Sequence, residues 1–240
     1  MHLIDTHFHL DYYKNHKYWY DRINKLQQYT LCVTNSPEVY YSCRKLYPET
    51  KFVKFALGYN PQQSSEVNFS KSAFLHGLST TQYIGEVGLD FSKKFIGTKQ
   101  KQLNIFDFIC RKSAEQNKLL SVHSRMAEYD TLRILLRHKV SKAIIHWYSG
   151  NVGIMHHFLN AGFYFSVNSS MCTTTNGQKI ISQIPMERLL VESDGPFSKI
   201  GTKRYTPTDL QSTYDLISDT LGVQNITHIV YHNFKRLLAD

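Results

Sequence analysis

The chain has 240 residues, of which 42% are hydrophobic and 20% are charged, a balance that is typical of a folded globular protein and excludes a disordered one. No apolar run approaches the ~20 residues of a membrane span, and no basic leader with an apolar segment precedes the first predicted strand, so we predict a cytoplasmic protein that does not contact a membrane. The formal net charge of +9 favours polyanionic partners such as nucleic acid.

Eight short apolar segments alternate with helix-like segments along the chain. Most of the apolar segments are continuous rather than alternating, as expected for strands that are buried on both faces. The predicted strands are residues 3–6, 31–34, 52–57, 83–87, 119–122, 143–145, 164–167 and 189–192. The helical periods predict helices over residues 102–117, 126–138, 208–221 and 226–238.

Eight strands that alternate with helices over this length are typical of an α/β fold, the (β/α)8 TIM barrel. An open doubly wound sheet is the alternative, but no glycine-rich phosphate-binding motif follows any predicted strand. The active site of a (β/α)8 barrel lies at the C-terminal ends of its strands. Functional side chains are therefore expected where the predicted strands end.

Histidines and carboxylates stand at these strand ends. Side chains two residues apart on a strand share a face, so His7 and His9 can reach the same ion. Glu86 lies inside an apolar strand, and burial of its charge is costly unless the carboxylate is paired or binds a metal. Each group alone is compatible with a hydrogen-bonded core residue, but together they indicate a metal site. The candidate ligands are His7, His9, Glu86, His123, His146 and Asp194.

The candidate ligands are imidazoles and carboxylates without a thiolate, and the four cysteines form no C-x-x-C pair. A catalytic zinc commonly has three protein ligands and a water, so six ligands fit two bridged ions better. Glu86, on a central strand, is the expected bridge. We predict two divalent metal ions, Mg²⁺ or Mn²⁺ with Zn²⁺ as the alternative, that activate a water for phosphodiester hydrolysis.

Five motifs follow one another along almost the full length: D-T-H-F-H-L-D at 5–11, G-E-V-G-L-D at 85–90, H-S-R at 123–125, H-W-Y-S-G at 146–150 and E-S-D-G-P at 192–196. With these motifs the chain resembles the TatD family of metal-dependent deoxyribonucleases, which are amidohydrolase-like barrels. The resemblance implies one TatD-like hydrolase domain over residues 1–240. It also implies an exonuclease that acts on DNA ends or single strands. The implied ligands are His7, His9 and Asp194 for one ion, His123 and His146 for the other, and Glu86 as the bridge.

Further roles are expected for residues beside the ligands. The resemblance also implies that Asp194 acts as the general base or orients the attacking water, besides being a ligand. Arg125 is expected to clamp a phosphate oxygen, with a surface helix cap as the alternative. Trp147 is expected to stack on a base. Asn60 replaces the histidine of the family's Gly-x-His-Pro motif, and it can donate a hydrogen bond to phosphate but cannot titrate.

Three softer features accompany the motifs. Asp5 and Glu192 are expected to orient metal-binding imidazoles. Basic stretches at 93–94, 99–101 and 199–204 either line a phosphate-binding groove or form solvated surface. Aromatic residues after the first strand either stack on bases or, for most of them, pack on the barrel. These aromatic residues are Tyr12, Tyr13, Tyr18, Trp19 and Tyr20.

One branch of the family is especially similar. The residues at 123–125, 146–150, 165–168 and 194–197 resemble the TatD-like component of bacterial Qat anti-phage defence systems. That resemblance implies other subunits of the defence system as partners, besides DNA. The leading hypothesis is therefore a DNA nuclease. An amidohydrolase acting on a small cyclic amide or ester and a partner-activated subunit are the two alternatives.

Overall fold

Eight short, buried strands form the inner layer of the computed structural model. The structure describes residues 1–239. The predicted end of the domain, residue 240, lies outside the described residues. The continuous apolar pattern of the strands is explained because both faces of each strand are covered, one by the barrel interior and one by helices. The strands are β1 Ile4–Phe8, β2 Tyr29–Cys32, β3 Val53–Phe55, β4 Tyr83–Asp90, β5 Leu119–Arg125, β6 Ala143–His146, β7 Tyr164–Val167 and β8 Leu189–Val191.

The strands pair in parallel in sequence order and close into a barrel. The hydrogen bonds form two sheets, one with the strand order β1-β2-β3 and one with the order β4-β5-β6-β7-β8. Parallel bridges join the two sheets, one from Leu57 to Ile84 and one from Phe8 to Gly195. Gly58 permits the first closure, because a Cβ at this position would lie 1.7 Å from the carbonyl oxygen of Thr34. The predicted (β/α)8 barrel is thus confirmed.

Ten helices of the described chain surround the strands. The four predicted helices correspond to α4, α5, α9 and α10, and no end is shifted by more than three residues. Local sequence explains several boundaries: the Ser36 side chain accepts a hydrogen bond from the Val39 N–H at the start of α2, and Gly222, at φ 64°, follows the end of α9. The helices are α1 His16–Leu26, α2 Pro37–Leu46, α3 Lys71–Leu78, α4 Lys99–Ala114, α5 Glu128–Arg137, α6 Val152–Asn160, α7 Ser169–Cys172, α8 Thr175–Ile181, α9 Leu210–Leu221 and α10 Ile226–Ala239.

A two-stranded hairpin that the sequence did not predict follows β8. Its strands, β9 Lys199–Ile200 and β10 Lys203–Arg204, pair antiparallel. Strands of two residues, mostly basic and exposed, carry no apolar pattern from which a strand is recognised. The hairpin places part of the basic stretch 199–204 on a defined element at the C-terminal side of β8.

Two bulk properties of the chain are also visible in its structure. Within residues 1–239, no helix combines the length and the apolar character that crossing a bilayer requires. The four cysteines are free thiols, and all are buried. The high pKa of the Cys32 and Cys110 thiols, raised mainly by burial, makes them unreactive packing residues.

Candidate metal centre

The end of β1 and the loop after β8 bring three of the predicted ligands together. The Nε2 atoms of His7 and His9 lie 3.2 Å apart. The backbone N–H of Asp194 donates to the carbonyl of His7 over 2.9 Å, so the loop continues the pairing of β8 with β1. Consequently Asp194 Oδ1 lies 3.7 Å from His7 Nε2 and 3.4 Å from His9 Nε2.

Glu86 connects this group to the histidines of β5 and β6. Its Oε1 lies 2.9 Å from His123 Nδ1 and 3.0 Å from His146 Nε2, while its Oε2 lies 3.4 Å from His9 Nε2. Gly88, at φ 141°, lets β4 approach β5, because a Cβ there would lie 2.0 Å from the His123 carbonyl oxygen. The distances show that the two oxygens of Glu86 face different imidazoles: Oε1 faces His123 and His146, and Oε2 faces His9.

The residues fit a metal centre by their unsatisfied atoms as well as by their chemistry. His9 Nδ1, His146 Nδ1 and Asp194 Oδ1 are buried without a hydrogen-bond partner in the described chain. A buried carboxylate oxygen without a donor is costly, and a cation removes that cost. Ligand atoms lie within 4.8 Å of one another in three overlapping groups. These groups are His7, His9 and Asp194; Glu86, His123 and His146; and His7, His146 and Glu192.

The electrostatics of the centre favour bound positive charge. Burial alone would raise the pKa of Glu86, but hydrogen bonds with His123 and His146 outweigh it and hold that pKa well below its usual range. Burial alone would lower the pKa of His146, but the carboxylates of Glu192 and Glu86 hold it well above 6.5. Burial and the neighbouring imidazole of His146 hold the pKa of His7 well below its usual range. An ion bound here would compete with the proton that the carboxylates favour on His146.

Two residues that the sequence analysis missed orient the ligand rings. Ser121 Oγ lies 2.8 Å from His7 Nδ1, and Asp90 Oδ2 lies 3.1 Å from His123 Nε2. Gln62 Nε2 donates to the same Asp90 oxygen over 2.8 Å. Asp90 ends β4, four residues after Glu86, and this even spacing on a strand was the signal that could have indicated it.

Asp5 contacts backbone rather than an imidazole, so the expectation was wrong for Asp5, whereas the Glu192 carboxylate does lie beside the His146 imidazole. Asp5 Oδ1 accepts a hydrogen bond from the backbone N–H of His7 over 3.2 Å, and burial raises the pKa of Asp5 to about 7. Glu192 Oε1 accepts from the backbone N–H of Trp147 over 3.0 Å but lies 3.8 Å from His146 Nδ1, too far for a hydrogen bond. Both carboxyl groups also hold the backbone that carries the candidate ligands.

A cavity of about 450 Å³ opens above the ligands and is lined by all three predicted substrate-binding residues. Arg125 is exposed, and within residues 1–239 no group accepts a hydrogen bond from its guanidinium. Trp147 is half-buried and packs against the core. Asn60 uses both amide hydrogens inside the protein, on Glu86 Oε2 at 2.6 Å and on Asn35 Oδ1 at 3.0 Å. Asn60 thus supports Glu86 and has no amide hydrogen left for a phosphate.

The aromatic residues after β1 divide as the packing alternative predicted. Tyr13 and Tyr20 are buried, and Trp19 packs against the core. Tyr12 lines the cavity instead, and so does Phe197, which the sequence did not indicate as a site residue.

Comparison with known proteins identifies the family of the chain. A family model described as TatD related DNase matches residues 4–239. The chain belongs to this family. This TatD-family chain is 28% identical over 255 residues to an uncharacterized metal-dependent hydrolase, YcfH of Escherichia coli K12, with 99% of the chain and 96% of YcfH covered. The predicted resemblance to TatD metal-dependent hydrolases is therefore confirmed.

Animal relatives match over part of their length. Human deoxyribonuclease TATDN3 is 28% identical to the chain over 162 residues, which is 64% of the chain and 58% of the human protein. The putative deoxyribonuclease TATDN3 of mouse is likewise matched over only 54% of its own length. The chain thus spans little more than half of these two relatives.

Solved structures of TatD homologues share the barrel. YjjV, a TatD homologue from Escherichia coli K12, superposes with a TM-score of 0.85 at 18% identity and covers 98% of the chain and 97% of its own. A TatD-family hydrolase from Entamoeba histolytica superposes with a TM-score of 0.80 at 16% identity, with 99% and 98% covered. At these identities the comparison establishes the fold.

Proposed function

We propose that the chain is a divalent-metal-dependent nuclease that hydrolyses DNA phosphodiester bonds at strand ends or in single strands. The observation that carries this proposal is Glu86, whose two oxygens face separate ligand groups, at 2.9 Å from His123 and 3.4 Å from His9. A bridging carboxylate of this kind is typical of paired metals that cleave phosphodiesters. The net charge of +9 and the deoxyribonuclease named among the relatives support DNA as the substrate.

We assign the candidate ligands to two Mg²⁺ or Mn²⁺ ions, with Zn²⁺ as the alternative. When bound, the two ions would lower the pKa of a water and stabilise charge on the attacking and leaving oxygens. Their ligands would be His7, His9 and Asp194 on one side, His123 and His146 on the other, and Glu86 between them.

Side chains of the protein supply proton transfer, substrate orientation and support of the candidate ligands. The carboxylate of Asp194 accepts the proton of the attacking water. Arg125 is the one lysine or arginine among the cavity-lining residues, and its exposed guanidinium orients a phosphate oxygen of the substrate. Asn60 and Asp90 hold Glu86 and His123 in place through hydrogen bonds of 2.6 and 3.1 Å.

The test is hydrolysis of 3′-labelled and 5′-labelled single- and double-stranded DNA with Mg²⁺, Mn²⁺, Zn²⁺ or EDTA. We expect cleavage that requires a divalent ion, stops with EDTA and shortens the strand stepwise from one end. Turnover of small cyclic amides or esters without any cleavage of DNA would instead support an amidohydrolase.

We further propose that the chain acts in the cytoplasm with partner subunits of a bacterial Qat anti-phage defence system. The motifs shared with the TatD-like component of those systems support this assignment, and Asn60 in place of the family histidine supports altered handling of the substrate. The test adds the partner subunits to the hydrolysis assay. We expect them to stimulate cleavage, and an identical rate with and without them would contradict the proposal.

The β9–β10 hairpin is expected to bind the DNA backbone. Lys199, Lys203 and Arg204 are exposed on it, and Arg204 Nε donates to the Pro196 carbonyl beside the cavity over 3.3 Å. Replacing Lys199 and Lys203 with alanine is expected to weaken single-stranded DNA binding. It should also reduce the slope of log K against log[salt] by about 0.7 for each phosphate that the variant no longer neutralises.

A matched control for this prediction lies at the opposite end of the barrel. Lys51 and Lys139 are exposed and precede β3 and β6, so they lie on the side where strands begin. Their double alanine variant removes the same charge, and we expect its salt slope to equal that of the wild type. Equal slopes for both double variants would show that the hairpin does not contact phosphates.

A further inference from the structure

We infer that Tyr12 and Phe197 form a stacking pair that holds the base of the substrate's terminal nucleotide, an inference that rests on the proposed nuclease function. Tyr12 follows β1, and Phe197 lies three residues after Asp194. Their ring centroids are 4.9 Å apart at an interplanar angle of 69°. Sequence positions separated by 185 residues therefore meet at the mouth of the cavity.

The stacking pair is fixed to the metal centre through His9. The ring of Tyr12 packs edge-on against the His9 imidazole at 5.5 Å, and that of Phe197 does so at 5.2 Å. Because His9 is a predicted ligand, any group stacked on the pair lies next to the reacting phosphate. A nucleotide base is separated from its own phosphate by only the sugar, so the geometry suits a nucleotide.

A large part of each of the two rings is left exposed to solvent, although each ring also contacts His9. Tyr12 is 39% exposed and Phe197 is 49% exposed, although both line a cavity whose floor consists of imidazoles and carboxylates. Exposed aromatic faces beside a polar reaction centre leave apolar area that a ligand can cover. Every base has an aromatic face, so stacking recognises a nucleotide without selecting its sequence.

Trp147 fits this role less well than the stacking pair does. It is half-buried and packs against the core, and Glu192 holds its backbone N–H at 3.0 Å. It lines the cavity from the end of β6, two strands away from β8. Trp147 therefore forms a wall of the cavity, while Tyr12 and Phe197 offer the freer ring faces.

The size of the cavity points to a terminal nucleotide. Its volume of about 450 Å³ is that of a small-molecule site, since such sites hold about 300–1,000 Å³. A space of this size accommodates about one nucleotide and excludes a duplex. The remaining strand would leave the mouth beside Phe197, where the basic hairpin begins.

The test measures how an oligonucleotide with an interior fluorophore binds to the Asp194→Asn variant, in which cleavage is slow enough for binding to be measured. The oligonucleotide carries an abasic tetrahydrofuran residue at the 3′ end, at the 5′ end, in the interior or nowhere. We expect the abasic residue to weaken binding about 5- to 150-fold at one end only, since this is the range that stacking on one base supplies. Adding Tyr12→Ala and Phe197→Ala should abolish the difference, and Phe197→Tyr should retain it.

Tyr129→Ala is the matched control, because Tyr129 is 69% exposed on α5 and does not line the cavity. Thermal melting followed by circular dichroism establishes that each variant is folded. The comparison of intact and abasic oligonucleotides can also be made in Asp194→Asn alone, so it does not depend on the folding of the Tyr12 and Phe197 variants. Equal affinity for intact and abasic ends, or an equal loss at the interior position, would overturn the stacking pair. If DNA is nevertheless cleaved, the proposed nuclease function stands; if no oligonucleotide binds and none is cleaved, both fail.

Discussion

Asp194→Asn is expected to lower the rate of DNA hydrolysis by about 10²–10⁴-fold, the contribution of a positioned general base. Asp194 Oδ1 is buried, lacks a hydrogen-bond partner in the described chain, and lies 3.4 Å from His9 Nε2. An amide oxygen at this place neither accepts a proton from water nor supplies negative charge to a cation. The rate constant of single-stranded DNA cleavage at saturating metal measures the effect.

The substitution is expected to leave the fold intact. Asp194 adopts φ 48°, a left-handed conformation that asparagine tolerates as well as aspartate does. Asp219→Asn, an exposed position on α9, is the control for a change from carboxylate to amide, and its activity should equal that of the wild type. Full activity of Asp194→Asn under the same conditions would rule out the assigned role.

Glu86→Gln is expected to abolish hydrolysis and to weaken metal binding by at least about 100-fold. Loss of a residue that only hydrogen-bonds a metal ligand already weakens binding by about 10–100-fold. Glu86 is buried, and its two oxygens face His123 at 2.9 Å and His9 at 3.4 Å. Glutamine keeps the shape but removes the charge that both ligand groups share. Isothermal titration calorimetry with Mn²⁺ gives the affinity independently of activity.

Thermal melting provides a second measurement for Glu86→Gln. A metal that binds only the folded chain stabilises it by RT ln(1 + [L]/Kd), so the wild-type melting temperature should rise with Mn²⁺. A 100-fold loss of affinity removes about 2.7 kcal/mol of this stabilisation at saturating metal. Glu115→Gln, an exposed position after α4, should retain the whole shift. An unchanged Mn²⁺ shift in Glu86→Gln would show that Glu86 is not a ligand.

The barrel was predictable because its strands carry a local signal. Each strand is buried on both faces, so its apolar run is visible without knowledge of its neighbours. The ends of elements were less predictable: β4 extends to Asp90, three residues beyond the predicted strand, because its pairing with Arg125 of β5 continues there. Pairing between strands is not encoded in the local run.

The candidate ligands were predictable for a similar reason. A histidine or glutamate within an apolar strand is conspicuous wherever the strand lies, and in a barrel all the strand ends converge on one rim. Glu86 and His146 stand out in this way in the sequence, and the structure places them 3.0 Å apart. The sequence by itself therefore determined the fold class, the rim and the candidate ligands.

Only the tertiary structure decided which partners these residues have. Asn60 meets Glu86 across 26 positions, and Phe197 meets Tyr12 across 185, because closure of the barrel brings the ends of different strands together. Such contacts depend on strand register and loop path, to which many residues contribute small energies. A side chain's local sequence specifies which face it occupies, but the group opposite that face is set by the packing of the whole barrel.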